Sequence, residues 1–463
     1  MVFSSLTFLL LFLPSLLVIY FAIPGTYREA RNIVLLLFSI LFYAWGEPIY
    51  VLLIILCVGV TYLLSKRVEN RQKWALLASI IINLLPLFIY KYLDFLLINL
   101  NEIPGVRLPL THLALPIGIS FYTFQVLTYI IDLYRGQVNR QSNPLYLALY
   151  IFLFPQLIAG PIVRYSTVEK QIEERRENWE DFLAGLGRFV VGLAKKVLIA
   201  NQAGYIVHTI MGEEPQLINS GFMWLAVFAF AIQIYFDFSG YSDMAIGLGR
   251  MFGFRFLENF NYPYVSRSVT EFWRRWHMSL STFFRDYVYI PMGGNRVPIG
   301  RWLVNILFVW FLTGAWHGAF WNYILWGVYY GVVLVIEKLV LRRVLEKLPS
   351  ILSWAYAFLM TLFGWAIFMT ETNSLAQLGE VFGKLLFITG TDTVLTIRAL
   401  ELQPYIPYLI AGFVLSFPIA PRLKQAKWLR EGRLSGVLVD AATVTLFAFS
   451  IIYIVAESFN PFI

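Results

Sequence analysis

Apolar residues in this chain fall into long runs separated by short polar loops. A helical crossing of a bilayer takes about 20 predominantly apolar residues. Windows of that kind lie at 4–23, 32–46, 49–65, 74–98, 114–134, 145–162, 184–203, 221–247, 302–317, 319–340, 351–370, 404–421 and 436–457. The pattern predicts an all-α, polytopic integral membrane protein with about 11 transmembrane helices, the other windows being re-entrant or interfacial. Residues 4–23 begin almost at the start, with no basic segment before them and no small-residue cleavage site, and read as the first span. No polar stretch is long enough for a separate soluble domain, so 1–463 read as a single membrane domain. Neither a solenoid-length repeat nor the paired halves of many secondary transporters is visible.

Composition agrees with this pattern. Hydrophobic residues make up 59% and charged residues 14% of the chain, against ~25% charged in soluble domains. The net charge of +8 lies in short loops, where it orients the chain and meets lipid headgroups. There is no basic-aromatic surface for nucleic acid. Arg28 and Arg31 occupy the first loop, and Lys66, Arg67, Arg71 and Lys73 the third. Arg135 and Arg140 follow the fifth span, while the second loop (Gly46, Glu47, Pro48) has no base. The positive-inside rule then predicts an outside N-terminus, with loops one, three and five inside. The one cysteine, Cys57, reads as a small packing residue with no disulfide available.

Two charged stretches are not spans. Residues 164–183 carry mixed charge and read as a solvated cytoplasmic surface helix. Residues 248–300 are rich in Arg, Trp, Tyr and Gly. There Ser268-Val269-Thr270-Glu271 fits a capping box. Phe272, Trp273, Trp276, His277, Leu280, Phe283, Phe284 and Tyr287 follow as one helical stripe, opposite Arg274, Arg275 and Arg285. The spacing predicts one amphipathic helix lying in the interface plane. His277 lies on its apolar side, either as a core histidine bonded to a backbone carbonyl or as a group facing a ligand. The glycines of Tyr289–Arg296 predict a turn.

His317 lies in Phe311–Trp321 between two apolar segments. Ionisable groups at membrane depth are costly and are functional candidates by default; the structural alternative is a histidine bonded between helices. Gly314 and Gly318 leave room for a close approach. No His, Cys or carboxylate cluster has metal-ligand spacing. The serine of Phe238-Ser239-Gly240 lacks the glycine two residues earlier that a nucleophile elbow needs, and no Walker A motif exists. What remains is a histidine general base that deprotonates a substrate hydroxyl, as acyl transfer requires. An apolar site keeps such an imidazole neutral.

Six blocks, in order, carry a family likeness: Phe121–Gln125 with Tyr129–Gly136; Phe154–Ile162; Tyr235–Ala245; Asn259–Tyr264 with Phe272–Ser281; Arg285–Arg296; and Gly314–Gly318. Together they resemble the membrane-bound O-acyltransferase family, nearest its bacterial alginate O-acetyltransferase branch and close to the teichoic-acid D-alanylation acyltransferase. The resemblance implies helices around a central tunnel, with His317 catalytic and His277 a second polar position. Trp316, Trp276, Ser279, Asp237 and Asn305 are candidates for the substrate path, with Arg274 and Arg275 either meeting the donor's phosphates or anchoring the chain at the interface. The resemblance also implies no bound cofactor and no metal. An acyl thioester donor, acetyl-CoA or a phosphopantetheine carrier protein, would arrive from the cytoplasm. The implied activity is O-acetylation of an exported polysaccharide in a bacterial inner or plasma membrane, with an SGNH-type extracytoplasmic partner or polysaccharide machinery. Two other readings stand beside it: D-alanyl transfer to teichoic acid with an acyl carrier protein, and a transporter or flippase for a lipid-linked sugar.

Overall fold

The computed structural model describes residues 1–389, 396–419 and 434–456, and among them every regular element is helical. The helices are α1 (Phe8–Ala22), α2 (Arg28–Ala44), α3 (Val51–Glu69), α4 (Lys73–Asn101), α5 (Ile119–Arg135), α6 (Pro144–Phe152), α7 (Tyr165–Glu174), α8 (Trp179–Ala194), α9 (Asn201–Met211), α10 (Ser220–Met251), α11 (Val269–Arg275), α12 (Met278–Phe284), α13 (Ile299–His317), α14 (Trp321–Lys347), α15 (Ser350–Met369), α16 (Leu375–Leu385), α17 (Ala399–Leu415) and α18 (Gly436–Ala456). Seven of them, α3, α4, α10, α13, α14, α15 and α18, are long and apolar enough to cross a membrane. α1 and α17 are shorter apolar helices. Residues 420, 421 and 457, at the ends of the last two predicted spans, lie outside the described residues.

Exposed leucines such as Leu52, Leu56 and Leu63 on α3 have no place in water at this density, and they mark a lipid-facing surface. The predicted span 145–162 is not one helix. α6 stops at Phe152, Leu153 leaves helical geometry, and Pro155 opens a single new turn, Phe154–Leu157. A residue two before a proline can still be helical, but the proline has no N–H to continue the ladder, and the chain bends here instead.

The chain packs as two compact units, Met1–Phe189 with Ser242–Glu258, and Val190–Tyr241 with Asn259–Ile463. In the first, the loops sort into two groups. Glu47 accepts from the Ile117 N–H at 3.3 Å, and the Tyr50 hydroxyl donates to the Ala114 carbonyl at 3.0 Å, which joins the second loop to the fourth. The Tyr62 hydroxyl donates to the Ser142 carbonyl at 2.9 Å, and Arg140 donates to Ser65 at 3.0 Å, which joins the third-loop end of α3 to the fifth loop.

The stretch 164–183 departs from the solvated helix expected of it. It is two helices, α7 and the start of α8, separated by a segment in which the Arg175 and Glu177 side chains are buried while Arg176 is exposed. Glu177 is held by Arg28, by Arg31 at 2.9 Å, by the Tyr20 hydroxyl and by Arg175 at 3.7 Å. Mixed charge along the sequence concealed this, because Tyr20 comes from α1 and Arg28 and Arg31 from α2. Burial alone would raise the Glu177 carboxyl, but the bonds from Arg28 and Tyr20 outweigh it and hold the group down at about 2. A depressed carboxylate stabilises the fold above its ordinary value of 4.5, and that contribution is lost as pH falls toward about 2. Glu177→Gln is therefore expected to cost about 3–5 kcal/mol at neutral pH, as for one partner removed from a buried ion cluster. Thermal melts of the purified protein across pH check this: the gap between wild type and variant should close as the solution is acidified.

Candidate active site

The second unit contains both sequence-predicted histidines. The expected single amphipathic helix is two helices, and His277 is the break between them. Ser268 caps α11 as the capping box predicts, accepting from the Glu271 N–H at 3.0 Å. α11 then ends at Arg275, and His277 adopts a left-handed backbone (φ 41°, ψ 56°) as the residue before α12. That conformation costs roughly 1–2 kcal/mol for a residue with a Cβ. It is held by a backbone strap: the Asn261 N–H bonds the Arg275 carbonyl and the Met278 N–H bonds the Asn259 carbonyl, both at 2.9 Å. The break turns His277 inward, where it is 1% exposed.

Its ring is edge-on to Phe238 at 4.7 Å and to Trp316 at 5.9 Å. Nδ1 lies 3.1 Å from the Asn259 side-chain oxygen, and Nε2 has no hydrogen-bond partner among the described residues. The bond is to an amide side chain and not to the backbone carbonyl that a core histidine was expected to find. His277 lies between the spans α10 and α13, and burial pushes its imidazole toward the neutral form.

His317 closes α13. Its ring is edge-on to Trp316 at 4.8 Å, Trp326 at 4.9 Å and Phe368 at 5.1 Å. Trp316 thus touches both imidazoles and stands between two residues 40 positions apart. The small residues work as the sequence indicated. α13 and α14 meet at Gly314 and Gly327, whose Cα atoms take the place side chains would need. This contact brings Trp326 onto His317. Gly318 leaves space that the Tyr323 ring fills.

A cavity of about 930 Å³ opens beside this cluster. Its exposed mouth is basic, with Arg267, Arg274, Arg285, Lys338 and Arg342; its floor is buried Trp273, Leu280, Phe284 and Thr313 with half-buried Trp310. Thr313 is one helical turn before His317, and the Trp273 ring meets Trp326 at 5.4 Å, so the floor adjoins the histidine cluster. Arg285 is paired with Asp286 at 2.7 Å and Arg342 with Glu346 at 3.0 Å. The Lys338 ammonium sits over the Trp302 ring at 4.0 Å. Arg267 and Arg274 have no ion pair among the described residues. Buried Glu337 in the cavity wall accepts from the Val269 and Thr270 N–H groups at 2.6 and 2.8 Å and fastens α11 to α14.

The remaining predicted residues separate by role. Arg274 reaches the cavity, whereas Arg275 is tied to Glu271 at 2.8 Å and to the Asn261 carbonyl. Ser279 donates to the Asn259 side chain at 2.9 Å. Trp276 is buried against Phe260 at 5.0 Å and Trp365 at 4.8 Å. Asp237 is ion-paired with Lys196 at 2.5 Å, both buried. Asn305 donates to the Met292 carbonyl at 3.2 Å and anchors the turn that the sequence placed at Tyr289–Arg296. Gly293 and Gly294 in that turn have φ of 105° and 55°, as the pattern required.

The model of the membrane-bound O-acyltransferase family matches residues 133–370, which include both histidines. A probable alginate O-acetylase of Azotobacter vinelandii is 42% identical over 81% of this chain and 76% of its own length. This chain belongs to the membrane-bound O-acyltransferase family. Other relatives in this acyltransferase family are a peptidoglycan O-acetyltransferase of Helicobacter pylori, 33% identical over 80% of this chain and 77% of its own length, and a teichoic acid D-alanyltransferase of Bacillus subtilis, 30% identical over 66% and 81%. The chain is therefore a multi-pass membrane O-acyltransferase. Asn259, Trp326 and Phe368 contact the two histidines and were not singled out by the sequence. Asn259 stood inside a quoted block with no role given to it. Trp326 and Phe368 look like any other aromatic residue in an apolar helix.

Proposed function

We propose that this chain takes an acetyl group from a cytoplasmic thioester donor and delivers it for O-acetylation of an exported polysaccharide, directly or through an SGNH-type extracytoplasmic partner. One observation supports this above the others: two imidazoles flank Trp316 beside a cavity with a basic mouth and an aromatic floor. The relatives named for alginate and peptidoglycan O-acetylation support an acetyl group and a glycan acceptor. In the reaction His317 takes the proton of an acceptor hydroxyl, and the oxygen forms a bond to the acyl carbon. The carbon–sulfur bond breaks, and the thiolate leaves to be protonated. His277 completes the polar end of the site. The aromatic box of Trp316, Trp326 and Phe368 around His317 suits a small acyl group. No cofactor is needed, since the thioester is itself a substrate. The N-terminus is placed outside a bacterial inner membrane, with Arg28, Arg31 and Arg140 inside, by the charge of the loops.

The donor, acetyl-CoA or a phosphopantetheine carrier, places its phosphates at Arg267 and Arg274 and its thin arm along Trp273. Arg274→Ala is expected to raise the donor KM about tenfold or more, the effect of one charge-assisted hydrogen bond, with kcat little changed. Arg275→Ala should leave that KM near wild type. Steady-state kinetics with varied donor check both. The function itself is tested by deleting the gene and weighing the surface glycans by mass spectrometry. Loss of ester-linked acetyl groups is the expected result. Loss of D-alanyl esters, or no change in any ester, would overturn the acetyl reading.

A further inference from the structure

The Asn259 side-chain oxygen accepts from the Ser279 backbone N–H at 3.1 Å and from the Ser279 hydroxyl at 2.9 Å. A backbone N–H can only donate, so the atom it meets is an acceptor, and the orientation of the Asn259 amide is fixed by its neighbours. The same oxygen lies 3.1 Å from His277 Nδ1. An acceptor facing a ring nitrogen requires that nitrogen to carry the proton. In a neutral imidazole the other nitrogen then has only a lone pair. That other nitrogen, Nε2, is the one without a hydrogen-bond partner among the described residues, in a residue 1% exposed. An unsatisfied buried acceptor is costly, so its presence here asks for a ligand.

We infer that Asn259 is the positioning residue for His277: it fixes the Nδ1–H tautomer, so that Nε2 accepts a hydrogen bond from a hydroxyl of the acceptor substrate other than the one His317 deprotonates. This rests on the acyltransferase reading above and sharpens it. A thioester carbonyl or sulfur carries no proton, so a neutral His277 in this tautomer cannot hydrogen-bond the donor's reacting group. It addresses the hydroxyl substrate instead. Asn259 acts twice on His277, because its backbone carbonyl also holds the Met278 N–H and with it the left-handed turn. The elements packed on the ring present Phe238 from α10, Phe260 and Asn259 from the strap, and Trp316 from α13. The charged and titratable groups beside these residues along the chain are Asp237, paired with Lys196; Glu258, paired with Arg188; Arg274 and Arg275, of which Arg275 is paired with Glu271; and His317, on the far side of Trp316. Ser279 adds a hydroxyl to the same oxygen, so the array has one acceptor and three donors.

The test uses the full-length purified protein in detergent, labelled with ¹⁵N-histidine, with His277 assigned by comparison with His277→Gln. Wild type is expected to show a protonated Nδ1 and a bare Nε2. Asn259→Leu should give a mixture of tautomers and lose about 100-fold in kcat, as for a lost orienting partner of a functional histidine, with the donor KM unchanged. Asn259→Asp keeps the acceptor and should keep most activity. Its carboxylate favours the imidazolium, so the acid limb of its pH–rate profile should move to higher pH. A wild-type spectrum with a protonated Nε2, an Asn259→Leu enzyme with wild-type kcat, or an Asn259→Asp profile that does not move would each overturn the inference. Should Asn259→Leu fail to fold, the wild-type spectrum and the aspartate variant still decide it. The tautomer is read without turnover, so failure of acetyl transfer in wild type would sink the proposed function and leave this result standing.

Discussion

His317→Ala is expected to abolish acyl transfer, lowering the rate by about 1,000-fold or more, the span general base catalysis supplies. The protein should still insert and remain folded. His317 is half-buried at the end of α13, and its ring neighbours Trp316, Trp326 and Phe368 also pack on one another or on further aromatics. Trp326 lies 5.3 Å from Phe368 and 5.2 Å from Tyr330. The aromatic cluster therefore survives loss of the imidazole, while the proton acceptor does not. The donor KM should change little, because the basic mouth of the cavity is untouched. Transfer of labelled acyl groups, measured beside thermal stability and membrane yield, separates the two effects. Normal transfer by the alanine variant would remove His317 from the chemistry.

Gly327→Val should have an effect as large but of a different kind: loss of the folded protein. A Cβ at Gly327 would fall on the Trp310 carbonyl oxygen and 3.1 Å from the Gly314 Cα. Both are backbone, so no side chain can swing aside. Overpacking of this sort costs about 1–3 kcal/mol even where side chains can adjust, and more where two helix backbones must separate. Pushing α13 from α14 would also pull Trp326 off His317. Gly59→Ala on α3 provides the control, because a Cβ there meets nothing within 4 Å; it should be neutral or slightly stabilising through helix propensity. Thermal unfolding and detergent-soluble yield report both. A Gly327→Val protein as stable as wild type would contradict the described contact between the two helices.

The sequence revealed what local pattern and local chemistry determine. Apolar runs marked the helices, Gly314 beside His317 foretold a close helix contact, Ser268 foretold a cap, and Gly293-Gly294 foretold a turn. It failed where distant residues decide. The stripe through His277 reads as an unbroken helix because nothing in Trp276-His277-Met278 signals a left-handed residue; the break is imposed by backbone bonds from Asn259 and Asn261. Glu177 reads as solvated among neighbouring charges until α1 and α2 supply Tyr20, Arg28 and Arg31. Arg274 and Arg275 are equivalent in the sequence, yet they differ once Glu271, one helical turn before Arg275, takes that side chain away from the cavity. For the candidate site, both histidines were legible in the sequence as candidates. Their meeting across Trp316 depended on the path of α13, and the box formed by Trp326 and Phe368 on contacts among α13, α14 and α15.

The central claim is that this chain forms an ester bond on its acceptor, with His317 as the base, and does not simply move a substrate. Sealed membrane vesicles that contain the chain and its glycan machinery, supplied with radiolabelled acetyl thioester on the cytoplasmic side, test it most directly. The account predicts alkali-labile label on the glycan in wild-type vesicles and background label with His317→Ala at equal protein. Glycan that crosses the membrane without acquiring label, or label at wild-type level with His317→Ala, would contradict it.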